Sequence, residues 1–209
     1  MPIGALRAQQ ERCVTNFYFV RHAATDFIGK TISGRTPGVH INELGRRQAT
    51  QLAHRLCSRR IDAIYSSPQT RARETAQPLA LCARKEVVVA SELDELDFGA
   101  WTGRSFDDLS ELPEWRRFNA ARSVTKIPDG ELLIEVQARI ISFVERISND
   151  AGESAVIVSH GDVIRAALAF YLGMPLDFLL RFEISPAAMS VVIMEGGNPR
   201  VLCVNSTPE

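Results

Sequence analysis

The chain has 209 residues and a mass of 23.2 kDa, room for one domain of ordinary size carrying at most a small cap. Apolar residues make up 45% and charged residues 23%, a globular composition that excludes collagen-like, low-complexity and largely disordered chains. The 24 Lys+Arg and 25 Asp+Glu leave a net charge of −1, which argues against a nucleic-acid partner held by bulk charge and leaves room for a local basic pocket.

Residues 1–15 read as an N-terminal extension without the apolar run of a signal peptide. Phe17-Tyr18-Phe19-Val20 then reads as a short buried strand. After a loop rich in Gly and Pro, residues 44–59 predict a helix with Ala49, Leu52, Ala53 and Leu56 on one face. Residues 61–65 predict a second strand, ended by Ser66-Ser67-Pro68, and residues 70–82 a helix that Pro78 would kink. Val87-Val88-Val89 is a third strand. Residues 100–130 lack a steady period and hold both tryptophans, Trp101 and Trp115. A helix is predicted over 131–148, a strand over 155–158 and a helix apolar nearly all round, hence buried, over 162–172. Two strands, 189–194 and 201–204, flank the turn Gly196-Gly197-Asn198-Pro199.

This alternation predicts an α/β fold. The expected form is a three-layer sandwich, a mainly parallel sheet flanked by helices, with residues 100–130 as a small helical or loop cap over the carboxyl ends of the strands, all within one domain. The longest apolar stretch, 163–172, contains Arg165 and is too short to cross a bilayer, so no membrane partner is expected. Cys13, Cys57, Cys82 and Cys203 are widely spaced and form no CxxC pair; neither a zinc site nor a disulfide framework is expected, and the default location is cytoplasmic. Oligomeric state is left open.

Ligands in such sheets collect at the carboxyl ends of the strands. The first strand runs into Arg21-His22, the second into Ser66-Ser67-Pro68 with Arg71 just beyond, and the late strand into Ser159-His160-Gly161. Two histidines and two arginines thus converge on one edge, where helix amino termini add backbone donors. A lone histidine after a strand is more often structural, and a lone arginine more often pairs with a carboxylate. Four such residues at one edge suit a phosphate dianion, with guanidinium forks on its oxygens and an imidazole to attack or donate. A metal is the competing use of the histidine pair. Zinc needs three or four ligands, and two adjacent arginines repel a cation, so no metal or other cofactor is expected.

The segment Phe19-Val20-Arg21-His22-Ala23-Ala24-Thr25 resembles the Arg-His-Gly signature of the histidine phosphatase superfamily, which includes the cofactor-dependent phosphoglycerate mutases. The similarity continues in order through Gly34-Arg35-Thr36-Pro37-Gly38, Leu44-Gly45 with Gln48-Ala49, Ser66-Ser67-Pro68-Gln69-Thr70-Arg71-Ala72 with Glu74-Thr75-Ala76, the stretch from Leu93 to Trp101, Pro128-Asp129-Gly130-Glu131 and Val158-Ser159-His160-Gly161. The resemblance implies His22 as nucleophile, Arg21, Arg71 and His160 as the phosphate pocket, and Glu95 as proton donor. Thr25 and Arg35, within the matching segments, are assigned with them to substrate binding. Departures are Ala23 for the usual glycine, strained if its φ must be positive, Ile28 for a frequent asparagine, Thr102 in place of the commoner Glu, and Leu132 for a frequent serine.

The implied activity is a metal-independent phosphomonoester hydrolase acting through a phosphohistidine on a small phosphorylated metabolite. The alternatives are a phosphoglycerate mutase-type transferase and a non-catalytic phosphate-binding module. Glu92, Asp94 and Asp97, beside Glu95, read as a solvated loop or as metal ligands. His40 and His54 read as surface residues, Met174 and Met189 as core, and the arginines of 116–122 as a solvated helix face with a smaller chance of touching an anionic substrate. Selectivity is assigned to residues 100–130 and the surroundings of Arg35.

Overall fold

The computed structural model describes residues 14–148 and 150–207. Residues 1–13 of the expected extension, Cys13 among them, lie outside the described residues. Val14 and Thr15, also expected in that extension, instead begin the first strand, β1 (Val14–Arg21). The sheet has six strands in the order β3-β2-β4-β1-β5-β6. β2 (Ala63–Ser66), β3 (Val87–Val89) and β4 (Ser154–Ser159) run parallel with β1, whereas on the other side β5 (Met189–Glu195) pairs antiparallel with β1 and β6 (Asn198–Ser206) antiparallel with β5. The sheet is therefore mixed and mostly parallel, as the alternation of elements predicts.

Side-chain alternation along β1 sorts the core into two layers. Phe17 and Phe19 face a cluster containing Leu133, Val136 and Ile140 of α5 (Leu133–Ile147) and Val163, Ile164 and Ala167 of α6 (Gly161–Tyr171). Tyr18 and Val20 face the other side, against Leu52 and Leu56 of α1 (Glu43–Cys57) and Ala72, Ala76 and Leu79 of α2 (Thr70–Ala83). Every residue of β4 is buried, the expected state of a parallel strand covered on both faces. The helical residues of α2 continue without a break through Pro78. No helix among the described residues is long and apolar enough to cross a membrane.

Residues 100–130 contain two short helices, α3 (Phe106–Ser110) and α4 (Pro113–Ala120). Ser105 caps α3 by accepting from the Asp108 N–H at 3.0 Å, and proline opens α4, where a missing N–H costs nothing. Trp101 packs edge-on against Trp115 and Phe118 of α4, at 5.3 and 5.4 Å between centroids. Two glycines join the two ends of this region to each other. A Cβ on Gly99 would run into the Pro128 carbonyl and one on Gly130 into the Asp97 carbonyl, so the two backbones touch only because both positions lack a side chain.

The expectation that the cysteines stay unpaired is corrected at one place. Packing of α1 on α2 joins Cys57 and Cys82 as a disulfide, with Cα atoms 5.9 Å apart across 25 residues of sequence. The separation in sequence hid a contact that only the helix–helix packing creates.

Candidate active site

β1 ends at Arg21 and hands the chain to His22, whose N–H donates to the Ser159 carbonyl at the end of the neighbouring β4. This parallel pairing puts His22 and His160 side by side, ring centroids 5.3 Å apart. The His22 ring is held by a 2.8 Å contact from Nδ1 to the Ala23 carbonyl. A carbonyl can only accept, so the ring proton sits on Nδ1 and Nε2 keeps its lone pair. Burial, reinforced by the positive charges of Arg71 and Arg21, pushes the His22 pKa well below its usual value. At neutral pH the ring is uncharged.

His160 has a defined tautomer as well. Arg71 Nη2 donates to its Nδ1 at 3.2 Å, so Nε2 carries the hydrogen and gives it to Ser67 Oγ at 2.8 Å. Ser67 Oγ in turn lies 3.3 Å from Asp94 Oδ1, completing a chain from guanidinium to carboxylate. Burial, then Arg71, depresses the His160 pKa strongly. It stands here as a neutral ring.

Arg71, fully buried at the start of α2, also donates from Nη2 to the Gly34 carbonyl at 2.7 Å. Arg21 donates from Nη1 to the Ile184 carbonyl at 2.6 Å. Three guanidinium nitrogens of these two arginines remain buried without a partner, Arg21 Nε, Arg71 Nε and Arg71 Nη1. Buried donors are nearly always satisfied, and a cluster that is not marks a place for an acceptor.

Glu95 enters from the turn between the short helical turns Ser91–Leu93 and Gly99–Trp101. Its Oε1 accepts from the Leu96 N–H at 2.9 Å and its Oε2 lies 3.6 Å from His160 Nδ1. Burial, and next the charge of Asp162, raises its pKa to about 7. The rest of the acidic cluster is engaged elsewhere. Arg35 faces Asp94 and Asp97 at 3.6 Å each and Glu131 at 2.9 Å, and its Nε donates to the Glu95 carbonyl at 2.8 Å. Arg139 donates to the same carbonyl at 3.2 Å and pairs with Glu131 at 2.9 Å, while Glu92 pairs with Arg146. This replaces the expected solvated loop with a cross-braced turn that fixes the Glu95 backbone. Among the described residues no three His, Cys, Asp or Glu side chains come together as a metal cluster.

A cavity of about 270 Å³ opens above these groups, lined by Arg21, His22 and Glu95 on its floor. Arg71 and His160 lie behind that floor with no exposure. Of the seven residues expected in the site, the structure brings together Arg21, His22, Arg71, Glu95 and His160. Thr25 is buried and accepts from the Phe27 N–H at 3.4 Å, and neither it nor Arg35 is among the cavity lining. Ala23 does not have a positive φ, so the alanine there carries no strain. Its N–H donates to Thr75 Oγ1 at 2.9 Å.

Arg122, grouped in sequence with a solvated face, is a buried part of the cavity wall instead. Its Nη1 meets Asp162 at 3.2 Å and its guanidinium lies 4.6 Å from the Phe118 ring centroid. Its neighbours Arg116 and Arg117 are exposed as expected. Asp162, in the first turn of α6 directly after His160-Gly161, carries no signal of its own in the sequence reading. Trp115 also reaches the cavity, in addition to packing under the cap.

A sequence profile of the histidine phosphatase superfamily (branch 1) matches residues 17–207, and the chain belongs to that family. It is 31% identical over 194 residues to phosphoserine phosphatase 1 of Hydrogenobacter thermophilus, covering 90% of each chain. It is 36% identical over 154 residues to phosphoglycerate mutase-like protein 4 of Arabidopsis thaliana, covering 70% of this chain and 66% of the relative. Among solved structures, Bacillus stearothermophilus YhfR superposes with a TM-score of 0.86 at 26% identity, over 92% of this chain and 98% of its own.

Proposed function

We propose that the chain is a phosphomonoester hydrolase that works without a metal ion, through a phosphohistidine on His22. The observation that carries this is the set of three partnerless guanidinium nitrogens beside an uncharged imidazole whose hydrogen is held on the far nitrogen. A phosphoryl group supplies the oxygens those donors lack. It also places phosphorus in front of the His22 Nε2 lone pair.

In the proposed reaction the Nε2–P bond forms as the P–O bond to the alcohol breaks, and Glu95 gives its proton to the departing oxygen. The resulting carboxylate then takes a proton from water, which attacks phosphorus, breaks the N–P bond and releases inorganic phosphate. Glu95 ends protonated and His22 neutral, as they began. Arg21 and Arg71 carry the positive charge that holds the transferring group, which is why no metal enters the scheme. The chemical class matches that named for the phosphoserine phosphatase relative, and the substrate is read as a small phosphate ester.

The test is phosphate release from an alkyl monoester in excess chelator, with no bisphosphate primer. The proposal expects turnover in the wild type and none in His22→Ala. Activity that vanishes on chelation and returns with a divalent ion would refute the metal-free mechanism. Primer-dependent interconversion of 2- and 3-phosphoglycerate with little phosphate release would identify mutase chemistry instead.

A further inference from the structure

The walls of the cavity above His22 differ sharply from its floor. Phe27, Ile28, Phe98, Phe106, Trp115 and Leu180 line it together with Arg122, Asp162 and Arg165. Phe106 and Trp115 pack with ring centroids 6.3 Å apart, and Phe27, Phe106 and Leu180 are each more than a third exposed, at 38%, 39% and 45%. Large apolar side chains gathered at a cavity mouth and left open to water are where an apolar ligand gains most from burial.

The charged groups of the same wall are already matched. Arg122 Nη1 and Arg165 Nη1 clamp the two oxygens of Asp162 at 3.2 and 3.3 Å. Arg122 Nη2 donates to Asn119 at 2.7 Å. Arg165 Nη2 meets Glu183 at 3.1 Å, and its Nε donates to the Phe182 carbonyl at 3.2 Å. Two guanidiniums thus face two carboxylates, and among the described residues the lining holds no lysine. A substrate carboxylate that took the Nη1 donors would displace Asp162 and leave that buried charge without its partners, and one that took Arg165 Nη2 would have to replace Glu183. Arg122 Nε is buried without a partner, a single N–H that a neutral ether, hydroxyl or carbonyl oxygen can satisfy.

We infer that the alcohol portion of the substrate is uncharged and presents an aromatic or similarly flat apolar ring to Phe106 and Trp115, in contrast to carboxylate-bearing esters such as phosphoserine. This rests on the phosphatase reading above and adds the substrate class to it. A cavity of about 270 Å³ is small for a ligand pocket, so it takes the phosphoryl group and one compact ring system.

The experiment compares 2-naphthylmethyl phosphate, O-phosphoserine and glycerol 3-phosphate, whose leaving alcohols are all primary, so that differences report the wall and not leaving-group chemistry. The expected kcat/KM for the naphthylmethyl ester exceeds the other two by about tenfold or more, chiefly through KM. Phe106→Ala, at a half-open position, and Trp115→Leu should each shrink that ratio severalfold. The Phe106 variant decides the matter if the Trp115 variant fails to fold. Phosphoserine turned over as well as the naphthylmethyl ester, or a ratio untouched by Phe106→Ala, would overturn the inference. If no ester is hydrolysed, the phosphatase reading fails separately, and calorimetry still decides the wall. Tighter binding of 2-(2-naphthyl)ethylphosphonate than of 2-amino-4-phosphonobutyrate would support it, and equal or weaker binding would overturn it.

Discussion

Replacing Glu95 by glutamine keeps the shape of the side chain and removes the proton that the proposed mechanism gives to the leaving alcohol. A buried carboxyl with a pKa of about 7 is protonated in about nine molecules of ten at pH 6 and in about one of ten at pH 8. The kcat/KM of the wild type for an alkyl phosphate should therefore lose up to about tenfold across that interval, because this parameter reports the free enzyme. His22 does not mask this limb, since its own pKa is depressed well below the range. Glu95→Gln should slow P–O cleavage of an alkyl phosphate by roughly 10²–10⁴-fold, the worth of a positioned proton donor, and erase the descending limb. p-Nitrophenyl phosphate, whose oxide leaves unaided, should lose far less in the phosphorylation step. Rapid-mixing measurement of the nitrophenol burst against single-turnover alkyl cleavage separates the two. Equal losses for both esters would refute the general-acid role and leave Glu95 a structural or phosphate-positioning residue.

Asp162→Asn removes a negative charge that raises the Glu95 pKa, so the descending limb of the alkyl-phosphate profile should move to lower pH; an unmoved limb would show that burial alone sets it. Stability should fall with acid. Below about pH 6.5 the unfolded chain protonates His22 and His160 while the folded chain does not, and each then costs about 1.4 kcal/mol per pH unit. Glu95 acts in the opposite sense, holding a proton in the fold between 4.5 and about 7, so the net loss is that of one group. Urea unfolding at pH 6.5 and 5.5 reads the slope, which should reverse in the His22→Asn, His160→Asn double variant. Reducing Cys57–Cys82, which closes a 25-residue separation, should cost about 3 kcal/mol, seen as a lower urea midpoint with dithiothreitol and no such drop in Cys57→Ser.

The elements that carry the site were legible because each strand is a short apolar run ending abruptly in Arg, Ser or His, and the convergence of Arg21, His22, Arg71 and His160 follows from parallel strands sharing one carboxyl edge. The helices α3 and α4 were not, since five and eight residues are too few for a 3.6-residue period to show. Arg122 was missed for the same reason. It follows the end of α4 in an apparently basic stretch, and only its long-range partner Asp162 reveals that it is buried. The acidic run from Glu92 to Asp97 could not be divided from sequence, because what separates Glu95 from its neighbours is that Asp94 and Asp97 face the distant Arg35 and Glu92 pairs with Arg146. For Asp162 the only pointer is position, in the first turn of the helix that follows His160.

The central claim is a covalent bond from phosphorus to His22. Millisecond quenching of the enzyme with an alkyl phosphate under alkaline conditions, followed by peptide mass spectrometry, should find one phosphoryl group on the peptide containing His22. It should be acid-labile and absent from His22→Ala. Phosphate on a serine, on His160 or nowhere during sustained turnover would contradict the account.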